Sequence, residues 1–168
     1  MDEYLKIGVQ FLHVMSGILW IGGGWYTLFV QLPAVLAAPA AARGPVMAQL
    51  APRQIFYILR VAELTLFTGL AQVFTTGRAR ELESVLGSRW AAAIALGALL
   101  AIVLYVLVRV AIKPAMERVL ELGPRAAAGA AASPAEIARL IDRIRRVGQV
   151  QVGLGLAIVF AMVLARFS

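Results

Sequence analysis

Four long apolar segments constrain most strongly what this 168-residue chain can fold into. They cover about residues 5–32, 55–76, 90–112 and 147–165, and each has the roughly 20 residues that a helix needs to cross a bilayer core. Because lipid cannot satisfy backbone hydrogen bonds, an isolated spanning segment of this length must be helical. The sequence therefore predicts an all-α integral membrane protein with a single domain over residues 1–168, folded as a four-helix up-down bundle.

The composition supports this class of protein and excludes several others. Hydrophobic residues make up 61% of the chain and charged residues 15%, whereas a soluble domain has roughly 45–50% and about 25%. The net charge of +7 would suit nucleic acid, but no nucleic-acid-binding motif accompanies it. Basic loops in a membrane protein serve orientation and contact with anionic lipid instead. The absence of cysteine excludes disulfides, zinc–thiolate sites and iron–sulfur clusters.

The distribution of lysine and arginine predicts how the bundle is oriented. Nine lie on the side of the loops that follow the first and third segments: Arg43, Arg53, Lys113, Arg118, Arg125, Arg139, Arg143, Arg145 and Arg146. Five lie on the opposite side: Lys6, Arg78, Arg80, Arg89 and Arg166. By the positive-inside rule, we expect a bacterial inner-membrane protein whose two termini both lie outside the cytoplasm.

Residues 134–146, just before the fourth segment, have the pattern of an amphipathic helix. Ile137, Leu140, Ile141 and Ile144 recur at helical spacing, and arginines occupy the opposite face. A basic helix of this kind lies in the headgroup region of a membrane, so the sequence predicts one interfacial helix in addition to the bundle. Binding to a partner protein is the alternative.

The stretch FLHVMSGILWIGGGWY in the first span holds the candidate functional site. His13, Gly17, Trp20 and Gly24 follow one another at intervals of three and four residues, so they share one face of a helix. His13 is the only histidine of the chain. A polar ring inside a span points to function, which makes His13 the candidate metal or cofactor ligand. A neutral histidine bonded to a neighbouring helix is the alternative.

The other residues of this face also allow two interpretations. The glycines would leave room beside the histidine for a flat macrocycle, or they would let two helices pack closely. Trp20 would pack on such a ring, or it would belong to the ordinary core of the bundle. Both pairs of interpretations remain open at the level of the sequence.

A second group of candidate residues carries charge within the spans. Arg60 and Glu63 are i, i+3 neighbours in the second span and can form an ion pair, and Arg109 lies at the same end of the third span. Arg60 and Arg109 could clamp an anion, for example a haem propionate. The alternative is a structural ion pair with long side chains that extend toward the membrane surface.

At this point the first span resembles that of several small membrane families. The motif is H-x6-W-x-G-G followed by a tyrosine and a Leu-Pro pair, with an arginine and Thr-Gly-Leu in the second span: His13, Trp20, Gly22, Gly23, Tyr26, Leu32, Pro33, Arg60, Thr68, Gly69 and Leu70. The families are the copper-resistance D-type domain, the membrane domain fused to some bacterial urate oxidases, and the HemJ-type protoporphyrinogen oxidase. The resemblance covers about 30 residues, and it implies b-type haem with His13 as an iron ligand.

The chain departs from the HemJ pattern in two places. Thr27, Leu28 and Phe29 follow the tyrosine where that family has Leu-Pro-Arg, and the only lysine of the third span, Lys113, lies at the helix end. The resemblance therefore implies haem binding without implying the oxidase reaction. A second axial ligand would be a histidine of a partner chain, or a methionine such as Met15 or Met162, or the iron would be five-coordinate.

Three hypotheses about function follow. The first is a haem b protein that carries out redox chemistry or electron transfer, with a quinone or a redox protein as partner. The second is a cofactor-free structural subunit that packs in a homodimer or a larger membrane complex. The third is copper uptake of the resistance-D type, although the scattered methionines supply few ligands for copper.

Overall fold

The computed structural model describes residues 3–75, 88–127 and 134–167, and all secondary structure in these ranges is helical. In chain order the elements are α1 (Glu3–Tyr26), a π-helical segment (Thr27–Gln31), α2 (Leu32–Ala37), α3 (Ala40–Thr75), α4 (Arg89–Leu107), a second π-helical segment (Val108–Ile112), α5 (Lys113–Ala127) and α6 (Pro134–Arg166). The predicted all-α class is confirmed for this part of the chain.

Four of the helical runs are long and apolar enough to cross a membrane: Glu3–Ala37, Ala40–Thr75, Arg89–Arg125 and Pro134–Arg166. They correspond one to one to the apolar segments of the sequence. Each has 33 to 37 residues and is therefore about 50–55 Å long, well beyond the roughly 30 Å of a bilayer core. The helices consequently extend past the predicted spans, and α3 and α6 begin far ahead of them.

Three prolines lie inside helices at places that the apolar segments left outside the predicted spans. The residues between the first and second apolar segments were placed in a loop, but Pro45 and Pro52 lie inside α3. Likewise Pro124, beyond the third apolar segment, lies inside α5. Residues 134–146 are helical and run without a break into the fourth span in α6. Alanine, which has the highest helix propensity, and burial against neighbouring helices outweigh the one backbone hydrogen bond that each proline removes.

Two clusters of buried side chains hold the helices together. The first joins all four long helices through Trp20, Ile58, Ala62, Ala101, Leu104 and Ile158. The second lies where α3, α5 and α6 meet and contains Ala51, Ala115, Met116 and Ile144, with Leu140 packed against it. The apolar face predicted for 134–146 is therefore covered in part by α5 and by the beginning of α3.

The outward surface of the four long helices is strongly apolar. Phe11, Phe67, Leu99 and Phe160, one from each long helix, are 59–71% exposed. A soluble monomer rarely presents so much apolar surface, whereas a lipid environment favours it. This surface agrees with a multi-pass membrane protein.

The pairing of α1 with α3 positions the candidate site. Their contacts match later residues of α1 with earlier residues of α3, since His13 meets Thr65, Gly23 meets Ile58, and the Thr27 hydroxyl accepts a hydrogen bond from Gln54. The two helices therefore run antiparallel. This register brings His13 to the Thr65–Gly69 turn of α3.

Candidate functional site

His13 is anchored to the neighbouring helix through one ring nitrogen. The ring is half-buried, and its Nδ1 lies 3.0 Å from the backbone oxygen of Thr65. A carbonyl oxygen can only accept a hydrogen bond, so the contact assigns the proton to Nδ1. A carbonyl oxygen inside a helix has a second lone pair that can accept such a bond. The Thr65 carbonyl can therefore accept from His13 and keep its hydrogen bond within α3. In this tautomer Nε2 carries the lone pair.

Gly69 of α3 provides the space for the imidazole. A Cβ atom at this position would lie 2.9 Å from His13 Cε1 and 3.2 Å from Nδ1, closer than side chains pack. Gly17, the predicted neighbour on α1, is less critical, because a Cβ there would meet Thr65 Cγ2 at an ordinary 3.7 Å. The glycine that accommodates the histidine therefore belongs to α3 rather than to the histidine's own helix.

The described residues leave the other ring nitrogen of His13 without a partner and not fully buried. Nε2 makes no hydrogen bond with residues 3–75, 88–127 or 134–167, and it is not one of the fully buried atoms without a partner. The geometry thus separates the two nitrogens: Nδ1 holds the ring to α3, and Nε2 offers a lone pair at the surface of the α1–α3 pair. This is the arrangement that metal-ligating histidines have in proteins.

Trp20 lies in the centre of the bundle. It is 1% exposed and packs in the cluster that joins the four long helices. Its indole Nε1 is buried and has no hydrogen-bond partner in the part of the chain that the structure describes. Within this chain Trp20 therefore contributes to the core, which supports the second interpretation of this residue.

Substitutions at Trp20 should separate its apolar volume from its indole N–H. Trp20→Ala should destabilise the protein by about 3–5 kcal/mol because it leaves a cavity between four helices. Trp20→Phe should cost less than about 1 kcal/mol, since removal of an unsatisfied donor offsets part of the lost packing. Thermal unfolding in detergent measures both, with Trp25→Phe as an exposed control. A loss for Trp20→Phe as large as that for Trp20→Ala would contradict this separation.

Gly23 and Gly24 of the first span face side chains of other helices. A Cβ at Gly23 would lie 2.6 Å from Ile58 Cδ1 of α3, and a Cβ at Gly24 would overlap the Gln151 amide of α6. On α6, Gly155 gives Ile21 a similar close approach at 3.1 Å. These contacts support the helix-packing interpretation of the glycine face.

Arg60 and Arg109 do not lie beside His13. Arg60 lies five residues before Thr65 on α3, which places it about 140° around the helix axis from the residue that His13 contacts. Its guanidinium donates to Glu63 at 2.8 Å, which confirms the predicted i, i+3 ion pair. Arg109 lies over the ring of Tyr105 on α4, whose hydroxyl donates to Glu63. The two arginines therefore form a separate cluster on the far side of α3.

A polar chain between α1 and α3 was missed from the sequence. Gln31 Nε2 donates to Gln54 Oε1 at 2.6 Å, Gln54 Nε2 donates to the Thr27 hydroxyl, and that hydroxyl donates to Gly23 O at 2.7 Å. Thr27 and Gln31 bound the π-helical segment, a distortion that often accompanies interhelical polar contacts and functional sites. The i, i+4 spacing of these two residues was the available signal, but Gln54 had been assigned to a loop.

Comparisons with known proteins yield no match, whether with protein-family models, with curated proteins or with solved structures. The chemistry of the site must therefore be judged from its own residues. Over the described ranges, no group of three or more histidine, cysteine, aspartate or glutamate side chains could enclose a metal ion. A ligand at His13 would thus depend on one protein nitrogen and on what the ligand itself supplies.

Proposed function

We propose that this chain is a multi-pass protein of the bacterial inner membrane that binds b-type haem through His13 Nε2. The proposed role is redox chemistry or electron transfer. The observation that supports the proposal is the hydrogen bond from His13 Nδ1 to the Thr65 carbonyl, combined with an accessible Nε2. A histidine ligand held in this way keeps one tautomer and one ring orientation.

The residues around His13 orient its imidazole so that Nε2 can act as a ligand, but they do not enclose the haem macrocycle. The Thr65 carbonyl fixes the proton on Nδ1 and the orientation of the ring, and Gly69 lets the imidazole lie close to α3. Because the far side of the glycine face is filled by other helices, the cofactor would have to approach from the outer surface of α1 and α3. Bound haem would supply one-electron chemistry, and its partner would be a quinone or a redox protein.

Met15 and Met162 are poorly placed to provide a second axial ligand. Met162 packs against Gly97 between α6 and α4, away from the α1–α3 pair. Met15 is two residues after His13 and so lies about 160° around α1 from it. A second protein ligand would therefore come from His13 of another copy of the chain, and five-coordinate iron is the alternative.

The same proposal includes an up-down arrangement with both termini outside the cytoplasm. The basic residues at the beginning of α6 support it, because Arg139, Arg143 and Arg146 are exposed while Ile144 is buried against α5. Arginines with this distribution would lie among lipid headgroups on the cytoplasmic side.

The visible spectrum of the purified protein tests haem binding. In detergent, the wild-type protein is expected to show a Soret band that shifts on reduction with dithionite, and a pyridine haemochrome of the b type. The measurement should be repeated after the apoprotein has been titrated with haemin, so that poor incorporation in the expression host does not decide the result. A folded, colourless protein that does not bind added haemin would contradict the proposal.

A cofactor-free structural subunit is the second candidate. Its support is the close packing of Gly23, Gly24 and Gly155, which is a sufficient explanation for these glycines without any ring. This candidate predicts a stable protein without haem that co-purifies with other membrane subunits. Copper uptake, the third hypothesis, predicts cellular copper accumulation that depends on His13 without a Soret band.

A further inference from the structure

Four polar side chains form a cluster between α3 and α4, outside the proposed haem site. Arg60 donates to one oxygen of the Glu63 carboxylate at 2.8 Å, and the Tyr105 hydroxyl donates to the other at 2.9 Å. Arg109 completes the cluster, because its guanidinium lies over the Tyr105 ring. Glu63 therefore links the two helices and has both oxygens engaged.

Each arginine of this cluster is held on an aromatic ring. The Arg60 Cζ atom lies 5.3 Å from the centroid of Phe56, and the Arg109 Cζ atom lies 5.8 Å from that of Tyr105. Such cation–π contacts orient a guanidinium and leave most of its N–H groups free to donate outward. The side chain of Arg60 is 66% exposed and that of Arg109 is also exposed, so these donors face the surroundings.

The cluster carries an excess of positive charge. Two guanidiniums stand against the single carboxylate of Glu63, and Arg109 forms no ion pair with any residue that the structure describes. Arg60 and Arg109 lie only five and three residues inside the predicted spans, which is about 5–8 Å from their ends. At this depth long cationic side chains reach the phosphates of the headgroup layer.

The surface that continues from the two arginines toward the middle of the membrane is apolar. On α3, Leu64 and Phe67 share the face of Arg60, and they are 41% and 71% exposed. On α4, Ile102 and Val106 precede Arg109, which lies in the second π-helical segment, and they are 51% and 47% exposed. A cationic head region is thus followed by an apolar track, which matches the two parts of a phospholipid.

We propose that Arg60 and Arg109 bind the phosphate of an anionic phospholipid at the outer seam between α3 and α4. Guanidinium groups match phosphate oxygens with paired hydrogen bonds, and the excess charge favours a lipid of net negative charge over a zwitterionic one. The acyl chains would lie on Leu64, Phe67, Ile102 and Val106. This site is independent of His13 and does not rest on haem binding.

Competition between two lipids tests the site. The full-length protein is equilibrated in mixed micelles with equal amounts of phosphatidylglycerol and phosphatidylcholine, and retained lipid is counted by native mass spectrometry. The wild-type protein is expected to retain mainly phosphatidylglycerol. Arg109→Gln should lower the preference roughly fivefold, the contribution of one cationic side chain near an anionic lipid surface. Arg109→Lys should keep most of it.

Matched variants and a soluble anion make the outcome decisive. Arg143→Gln makes the same change of charge at a general headgroup contact on α6 and should lower the preference much less than Arg109→Gln does, while Arg60→Gln tests the site from the other helix. Inorganic phosphate at millimolar concentration should not displace the lipid. The proposal is overturned if Arg109→Gln and Arg60→Gln retain the wild-type preference, if Arg143→Gln lowers it as much, or if inorganic phosphate displaces phosphatidylglycerol.

Discussion

His13→Ala is expected to abolish the proposed haem binding and with it the Soret band of the purified protein. The substitution removes the only imidazole of the chain, and Nε2 is the only atom of the candidate site that is both a good iron ligand and accessible. Loss of an outer-shell partner alone typically lowers metal affinity about 10–100-fold, so loss of the ligand should have at least this effect. Haemin titration followed by absorbance measures the change in affinity.

The loss should not be a consequence of unfolding. His13→Ala also removes the hydrogen bond to Thr65, but interhelical bonds of this kind contribute only around 1 kcal/mol. Gln10→Ala, one turn earlier on α1 at an exposed position, serves as the control and should keep the Soret band. Added imidazole should restore part of the band in His13→Ala. An unchanged Soret band in that variant would rule out His13 as the ligand.

The all-helical fold and its four spans were predictable because hydropathy is a strong signal in membrane proteins. A segment in lipid must satisfy its own backbone, so length and apolarity are sufficient to predict a helix. The ends of the helices were not predictable in the same way. Pro45 and Pro52 favour a loop, yet they lie in α3. Ala51 of this helix is fully buried and packs in the second cluster. Tertiary packing there outweighs a local signal.

The periodicity of the first span gave the correct face but not its partners. His13, Gly17, Trp20 and Gly24 lie along one side of α1, because Glu3–Tyr26 is an α-helix and their spacing is helical. Each of them contacts another helix. A helix that crosses its neighbours at an angle meets different ones along its length. His13 and Gly17 therefore contact α3, Trp20 enters the four-helix core, and Gly24 faces Gln151 of α6.

The relation between His13 and the arginines shows what a single sequence leaves open. The ion pair of Arg60 with Glu63 follows from i, i+3 spacing, because both residues are on one helix. The direction in which that pair faces depends on how α3 is rotated about its axis, and this rotation is set by packing contacts such as Gly69 against His13. Contacts of this kind join residues more than fifty positions apart, for which local spacing carries no information.

Gly69→Ala is expected to destabilise the protein by about 1–3 kcal/mol, the range for overpacking in a well-filled interior. The new methyl group would lie 2.9 Å from His13 Cε1, and the ring cannot move away without losing its bond to Thr65. Gly22→Ala is the matched control, because a Cβ there has no atom within 4 Å. Alanine has the better helix propensity, so Gly22→Ala should leave stability unchanged or raise it slightly. Thermal unfolding in detergent measures both.

A double-mutant cycle with His13→Ala then assigns the effect of Gly69→Ala to the imidazole. If the methyl group acts by collision with the His13 ring, Gly69→Ala should cost almost nothing in a background that lacks the ring, and the coupling should amount to most of its cost in the wild type. A cost that persists in the His13→Ala background would place another group at Gly69. Because Gly69→Ala also displaces Nε2, its haemin affinity should fall in the wild-type background, and this links the packing of α1 on α3 directly to the proposed ligand.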